Sequence, residues 1–244
     1  MGFDYDRAAA TYDNHRGGGG PYLPVLLRLA GASNARCVLE IGPGTGNNTA
    51  AFLEAHPCLL LGLERSRGML EKAVAKRVPA RWVRGDARHI PFAEDSCEFV
   101  FGVLVLHHIV ELGQVMRECR RVLRKGHAAF VTSPHDFIER HPMNRYFPSF
   151  ARIDHSRFHT VEAIRQALEE AGFVETGAER MVAPPAPIDR RYLAKVENRF
   201  ISTYDLIPRD EYDRGLARLR ADIEKKGALD EVMRWESVTV WGRT

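Results

Sequence analysis

Val38-Leu39-Glu40-Ile41-Gly42-Pro43-Gly44-Thr45-Gly46-Asn47-Asn48-Thr49 reads as a buried strand running into a glycine turn and then a helix start. Glycines at such a turn let backbone approach a ligand closely, and the free N–H groups of the next helix favour a negative group. A dinucleotide turn of the form G-x-G-x-x-G needs glycine at position 47, where this chain has Asn47, so a nicotinamide cofactor is disfavoured. Glu40, immediately before the turn, repels a pyrophosphate and suits an ammonium group.

Working outward, two more acids end successive candidate strands: Glu64 after 59–63, and Asp86 after Trp82-Val83-Arg84-Gly85. A carboxylate at the second strand end suits a ribose diol, and Asp86 could accept from an adenine amino group. All three acids fall at the carboxyl edge of one sheet, where open α/β folds bind ligands. A ligand with an ammonium, a carboxylate, a ribose and an adenine, but no phosphate, is S-adenosylmethionine.

The rest of the chain supports such a sheet. From residue 36 to about 133, β-branched runs at 37–41, 59–63, 81–83, 99–105 and 128–132 alternate with helical patterns, the signature of βαβ units and a doubly wound α/β domain. Met69, Leu70, Ala73 and Val74 share one helical face. Leu112, Val115, Met116, Cys119, Val122 and Leu123 share another, on a helix expected to stop at Lys125-Gly126. Residues 134–159, with their prolines and aromatics, are expected to form an irregular insertion over the sheet. Thr160 should then cap a helix over 161–171, followed by a strand from Phe173, a proline-rich turn, two helices (the second about 210–226, closing at Gly227) and a last strand over 236–241. Ahead of the sheet, a short helical pattern with Phe3, Ala8, Ala9 and Tyr12 leads to Gly17-Gly18-Gly19-Gly20, a hinge, and an apolar helix over 22–30.

Composition excludes several other classes. The 244 residues are 45% hydrophobic and 27% charged with a net charge of +3, ordinary globular material that calls for neither nucleic acid nor an anionic membrane surface. No apolar run is long enough to span a bilayer. The start resembles no signal peptide, so a cytoplasmic location is expected. Four widely spaced cysteines without a C-x-x-C pair argue for reduced, mostly buried thiols and against a zinc site.

The chain resembles the class I S-adenosylmethionine-dependent methyltransferases, specifically the small-molecule group that includes the quinone-biosynthesis C-methyltransferases. The matching stretches are Tyr5-Asp6-Arg7 through Tyr12-Asp13, Leu39 to Gly46, Leu63-Glu64-Arg65-Ser66 with Met69-Leu70, Gly85-Asp86-Ala87 with Ile90-Pro91-Phe92, Leu106-His107-His108, and Leu123-Arg124-Lys125-Gly126. The resemblance covers residues 1 to about 133. It implies a Rossmann-like seven-stranded doubly wound sheet, mostly parallel with the last strand antiparallel. An N-terminal lid arm and glycine hinge over 1–20 would precede a cofactor-binding core over 21–133, and 134–244, part of the same domain, would hold an acceptor-side insertion after strand five, the late helices and the final strands.

The resemblance also implies roles. Glu40, Gly42 and Gly44 would bind the methionine moiety, Glu64 would clamp the ribose, and Arg65 and Met69 would pack beside the adenine that Asp86 and the Ala87 amide read. Val103 would offer a backbone contact to the ammonium group, and Tyr12 and Arg16 would close over the carboxylate. Two features depart from the family: Glu98 stands where Asp is usual, and the glycine run after Arg16 is unusual. For Tyr5 and Tyr12, packing of a terminal helix remains the alternative to a site role.

His107 and His108 follow strand four, where either could contact the acceptor or shape its pocket, and Tyr12 joins them as a catalytic candidate. If the strand runs on to Leu106, alternation puts His108 in the cleft with Leu104 and Leu106 and turns His107 away; a helical turn starting at Leu106 undoes this. His155 and His159 stand four apart with His135 and His141 nearby, but without the glutamate of an H-E-x-x-H helix no metal is expected. Phe147, Phe150, Tyr192, Phe200 and Tyr204 are read as core. The expected activity is methyl transfer from S-adenosylmethionine, leaving S-adenosylhomocysteine, to a small-molecule acceptor, in a monomer or homodimer. A cofactor-binding subunit without turnover is the alternative, since Glu40, Glu64 and Asp86 speak only for binding.

Overall fold

The computed structural model describes residues 5–9, 12–14 and 17–244. In chain order the first elements are α1 (Tyr5–Ala8), a 3-10 turn (Tyr12–Asn14), α2 (Leu23–Ala32), β1 (Cys37–Ile41), α3 (Asn47–Ala55), β2 (Leu59–Glu64), α4 (Arg67–Ala75), β3 (Arg81–Arg84) and β4 (Cys97–Val103). After a 3-10 turn (Leu106–His108) come α5 (Leu112–Val122), β5 (Leu123–Thr132), α6 (His135–Arg140), a 3-10 turn (Pro142–Arg145), α7 (Phe150–His155), α8 (Val161–Glu170) and β6 (Glu175–Val182). The chain ends with β7 (Ala186–Asp189), α9 (Arg190–Glu197), α10 (Thr203–Leu206), α11 (Arg209–Lys226), β8 (Ala228–Met233) and β9 (Glu236–Arg243).

Seven strands form one sheet in the order β3-β2-β1-β4-β5-β9-β6. The pairs from β3 to β5 are parallel, and β9 runs antiparallel to β5. This is the doubly wound, Rossmann-like sheet expected from the alternation of apolar runs and helices. Its central strands are buried on both faces, which is why they read as continuous apolar runs. On one face Phe52 of α3 stacks on Phe101, with ring centroids 4.9 Å apart, and Phe99 lies 5.8 Å from Phe101. Each such ring contributes roughly 1.5–3 kcal/mol by leaving water.

Two compact units emerge. One contains the described residues of 5–132, 159–181 and 237–244; the other contains Ser133–Phe158 and Val182–Glu236. The second unit has its own core, in which Phe147, Phe150, Tyr192 and Tyr204 are buried and Phe200 packs against them, as their aromatic character suggested. Its two-stranded sheet pairs β7 with β8 antiparallel.

Several expectations are corrected. The helix containing Leu112 ends at Val122, not at Lys125-Gly126, because Leu123 is fully buried and already pairs with Cys97 as the start of β5. Gly126 is needed for close approach, since a Cβ there would stand 1.8 Å from the Glu98 carbonyl oxygen. β4 stops at Val103 instead of continuing to 105, because Leu104 adopts a left-handed φ of 50°. Residues 134–159 hold two α-helices and a 3-10 turn where irregular chain was expected, and the proline-rich segment contributes β7. By contrast, Thr160 caps α8 through Ala163 N–H as its sequence position indicated.

Candidate active site

The strand order places the ends of β3, β2, β1 and β4 side by side. Register aligns Ile41 with Leu63 and with Gly102, and Glu64 with Arg84. Glu40, Glu64, the loop bearing Asp86, and Val103 therefore share one carboxyl edge of the sheet. After β1 the chain turns through Gly42, Gly44 and Gly46, with φ of 64°, 58° and 81°, which L side chains adopt only under strain. Gly42 has a steric reason as well: a Cβ there would stand 2.3 Å from Val105 Cγ2.

Glu40 is buried, and its carboxyl accepts from the Thr49 hydroxyl at 2.5 Å. Burial, reinforced by the charge of Glu64, outweighs that bond and pushes its pKa up to about 8. Among the described residues no cation pairs with it. Glu64 is also buried, its oxygens accepting from Gly44 N–H at 3.0 Å and Ser66 N–H at 2.8 Å, so this one carboxylate ties the glycine turn to the start of α4. Desolvation raises its pKa against the pull of those amides. Asp86 lies in the loop after β3 and is held by Arg88, whose hydrogen bonds keep its carboxyl below the ordinary range.

The other expected residues sort by environment. Met69 and Ala87 are buried, Arg65 is exposed, and Val103 ends β4 at the kink, where the next amide, Leu104 N–H, donates to Val131 O at 2.9 Å. Arg16 lies outside the described residues. A Cβ on Gly44 would stand 3.9 Å from the Tyr12 ring and hydroxyl, which places Tyr12 over the glycine turn.

The arm is fastened by two acids. Asp6 accepts from the Ser66 hydroxyl at 2.6 Å and from Gly68 N–H at 2.8 Å. Asp13 accepts from Thr45 Oγ1 at 2.5 Å and Asn47 Nδ2 at 3.0 Å, and pairs with Lys76 at 2.9 Å. Asn47, the residue that breaks the dinucleotide pattern, is thus an arm-docking residue. The glycine run lies against the same helix start: Gly19 N–H donates to Asn48 Oδ1 at 3.2 Å, and a Cβ on Gly18 would stand 2.0 Å from the Asn47 carbonyl oxygen.

His107 and His108 sit in the 3-10 turn that follows Leu104, so the alternation expected for a strand through Leu106 does not exist there. His108 is engaged from the arm: its Nε2 is hydrogen-bonded to the Tyr5 hydroxyl, with the rings edge to face at 4.9 Å. The His107 ring lies 3.8 Å from that of His108. The histidines further on are separated: His155 Nδ1 faces His135 Nδ1 at 3.0 Å, while His159 Nε2 bonds the Ile109 carbonyl at 2.8 Å. Glu98 lies at the opposite end of its strand, accepting from Cys37 N–H at 2.9 Å.

Four features escaped the sequence. Tyr5 was weighed only as an arm or packing residue; its partner in His108 is 103 residues away. Thr49, one helical turn into α3, gave no signal as the partner of Glu40. Arg88, two residues after Asp86, stands at a spacing that favours a local side-chain bond. Trp82 lies across Gly62 and Gly46, whose added Cβ atoms would meet it at 2.6 and 2.9 Å; a bulky residue opposite glycine was the available clue.

Residues 39–131 match the methyltransferase domain family. Over 195 residues the chain is 30% identical to the malonyl-[acyl-carrier protein] O-methyltransferase of Herminiimonas arsenicoxydans, covering 77% of this chain and 72% of that protein. Over 172 residues it is 32% identical to the biotin biosynthesis bifunctional protein BioHC of Cellvibrio japonicus, covering 69% of this chain but only 34% of that longer protein. A solved structure from Anabaena variabilis, named for a methyltransferase of an antibiotic biosynthesis pathway, superimposes with a TM-score of 0.71 at 22% identity, covering 89% of this chain and 95% of that one, and so shares the fold. No helix among the described residues is long and apolar enough to cross a membrane. With its glycine turn and three strand-end acids inside the matched segment, the chain belongs to the S-adenosylmethionine-dependent methyltransferases.

Proposed function

We propose that this chain transfers the methyl group of S-adenosylmethionine to a small-molecule acceptor met at the His107-His108 turn. The observation that carries this is the shared carboxyl edge: a buried acid at Glu40 with no cation partner among the described residues, a positive-φ glycine turn, and carboxylates at Glu64 and Asp86. These residues fit the methyl donor. Glu40 with Gly42, Gly44 and the Val103 backbone would hold its amino-acid end, Glu64 the ribose diol, and Asp86 with Ala87 N–H the adenine, flanked by Arg65 and Met69. Tyr12, with Arg16, would close over the carboxylate.

When bound, S-adenosylmethionine would supply a sulfonium-activated methyl group for in-line attack by an acceptor nucleophile, with S-adenosylhomocysteine as the leaving group. The protein's own contribution is alignment and exclusion of water, since orientation can be worth about 7–11 kcal/mol in well-aligned cases. Asp6 and Asp13 hold the arm down, and the Tyr5 hydroxyl holds His108, whose ring can accept the acceptor's proton or orient the acceptor. The relatives named for malonyl-[acyl-carrier protein] O-methylation place malonyl thioesters at the head of an acceptor panel, followed by quinols, phenols and amines.

The test is calorimetric binding of S-adenosylmethionine followed by release of S-adenosylhomocysteine with that panel. Failure to bind the donor would overturn the reading; binding without turnover on any acceptor would favour a cofactor-binding subunit. Sedimentation distinguishes a monomer from a homodimer, the two states proposed, and fractionation of cells tests the proposed cytoplasmic location.

A further inference from the structure

We infer that Arg88 is a positioning residue: its guanidinium fixes the Asp86 carboxylate so that the one acceptor position left open meets the exocyclic amino group of the cofactor's adenine. The inference rests on the proposed role of Asp86. Arg88 serves that carboxylate with three N–H groups: its backbone N–H at 2.9 Å from Oδ1, its Nε at 3.1 and 3.2 Å from the two oxygens, and its Nη2 at 2.7 Å from Oδ2. An ionised carboxylate accepts about four hydrogen bonds, so roughly one place remains. The remaining guanidinium nitrogen, Nη1, points to Glu111 Oε1 at 3.1 Å, and the Arg88 carbonyl accepts from Gln114 Nε2 at 3.0 Å.

Arg88 is therefore braced on both sides. A planar fork engaged at one edge by Asp86 and at the other by Glu111 cannot swing without losing a bond, and a point charge would not impose the same geometry. The loop that carries Asp86 is anchored too, Gly85 N–H donating to the Glu64 carbonyl at 3.0 Å. The electrostatics agree, since Arg88 first, then its backbone amide and the more distant Arg65, keep Asp86 ionised against desolvation. A fixed carboxylate discriminates an exocyclic amino group, which donates to it, from an exocyclic carbonyl oxygen at the same position, which brings a lone pair against it.

The test compares calorimetric affinities of S-adenosylhomocysteine and S-inosylhomocysteine, which differ in the C6 group and in the proton that hypoxanthine carries on N1; the N1 difference is common to all variants, so the change of the ratio between variants reads the Asp86 contact. The wild type is expected to prefer the amino compound by about tenfold or more, the cost of an unmatched charged hydrogen bond. Arg88→Gln is expected to bring the ratio to within about threefold, chiefly by weakening S-adenosylhomocysteine, and Arg88→Lys to fall between the two. Glu111→Gln, which leaves the Asp86 pair in place and weakens the brace by removing its charge, should move the ratio part of the way in the same direction and keeps the question open to test if Arg88→Gln fails to fold.

A collapsed ratio in Asp86→Asn alongside a wild-type ratio in both Arg88→Gln and Glu111→Gln would overturn the positioning role and leave the cofactor reading standing. Tighter binding of S-adenosylhomocysteine by Arg88→Gln would make Arg88 a competitor for Asp86 and overturn the role as well. An unaltered ratio in Asp86→Asn would remove Asp86 itself as the reader. If the wild type bound neither compound, the function proposed above would fall with it.

Discussion

The hydroxyl of Tyr5 is hydrogen-bonded to Nε2 of His108, joining the first helix to the turn that follows β4. The contact becomes possible because Leu104 takes a left-handed backbone, exposing its own side chain and sending the chain into a 3-10 turn at the carboxyl edge. Such a conformation costs a non-glycine residue on the order of 1–2 kcal/mol and persists only where surrounding structure fixes it. Val105 supplies that restraint, its side chain filling the space that Cβ atoms on Gly42 and Gly102 would need. The glycine turn and the histidine turn are in this way parts of one packed edge.

If the Tyr5 hydroxyl orients His108 for the acceptor, Tyr5→Phe keeps the ring packing and loses one hydrogen bond. The expected result is a kcat lowered roughly three- to tenfold, about 1 kcal/mol. Combining it with His108→Ala should add nothing further, because the two act as a unit. Additive losses in steady-state kinetics would show that the two residues work independently.

Glu40 predicts a pH dependence whose sign follows from burial. Its folded pKa, about 8, lies above the ordinary carboxylate value, so between about pH 4.5 and 8 the unfolded chain binds fewer protons than the folded one. Stability of the cofactor-free protein contributed by this group is therefore fully present at acid pH and is lost as pH rises through that window. Thermal melts across the window should show a decline that Glu40→Gln, with no proton to lose, does not share. In the wild type, binding an ammonium beside Glu40 should release about one proton near pH 6.5, read from calorimetry in buffers of different ionisation enthalpy. An equal decline in both proteins would remove Glu40 as the cause.

The sheet and its three acids were legible because each rests on a short-range signal: a buried apolar run, a glycine turn, a carboxylate at the run's end. What was not legible depended on contacts between distant residues. The preference for His108 over His107 rested on strand alternation through Leu106, which does not occur once Leu104 reverses the backbone and a 3-10 turn begins at Leu106. Lys125-Gly126 resembled a helix end because basic residues and glycine commonly close helices, yet burial of Leu123 against Cys97 starts the strand earlier. The helices of 134–159 were hidden because each is six residues or fewer, too short to display a period.

Glu64 and Asp86 should be separable by what else they hold. Glu64→Ala removes the acceptor for both Gly44 and Ser66 amides, so it should weaken S-adenosylmethionine binding by roughly 1.5–3 kcal/mol and also lower the melting temperature. Asp86→Ala, at a half-exposed position whose partner Arg88 can turn to Glu111 and water, should weaken binding with little effect on melting. Calorimetry and melts on both variants make the comparison. Wild-type affinity in both would remove these strand-end carboxylates from the cofactor site.

The arm offers the last test. Asp6 and Asp13 dock it at the starts of α4 and α3, and both are held below the ordinary carboxylate range: Asp6 by the Ser66 hydroxyl and Gly68 amide, Asp13 by Lys76, Thr45 and Asn47 against desolvation as the largest single influence. If the arm closes over bound cofactor, as proposed for Tyr12 and Arg16, it should govern release. Gly18→Ala forces a side chain into the Asn47 carbonyl, and Asp13→Asn removes the charge facing Lys76. Each should speed dissociation of S-adenosylhomocysteine, roughly three- to tenfold, the scale of about 1 kcal/mol of lost docking. Removing residues 1–16 should speed it further and abolish most turnover while the far-ultraviolet circular dichroism of the sheet persists, since loops that gate a site are separable from the core that holds it. Stopped-flow displacement measures the rates directly; unchanged dissociation in the truncated chain would show that the arm, though docked, does not retain the cofactor.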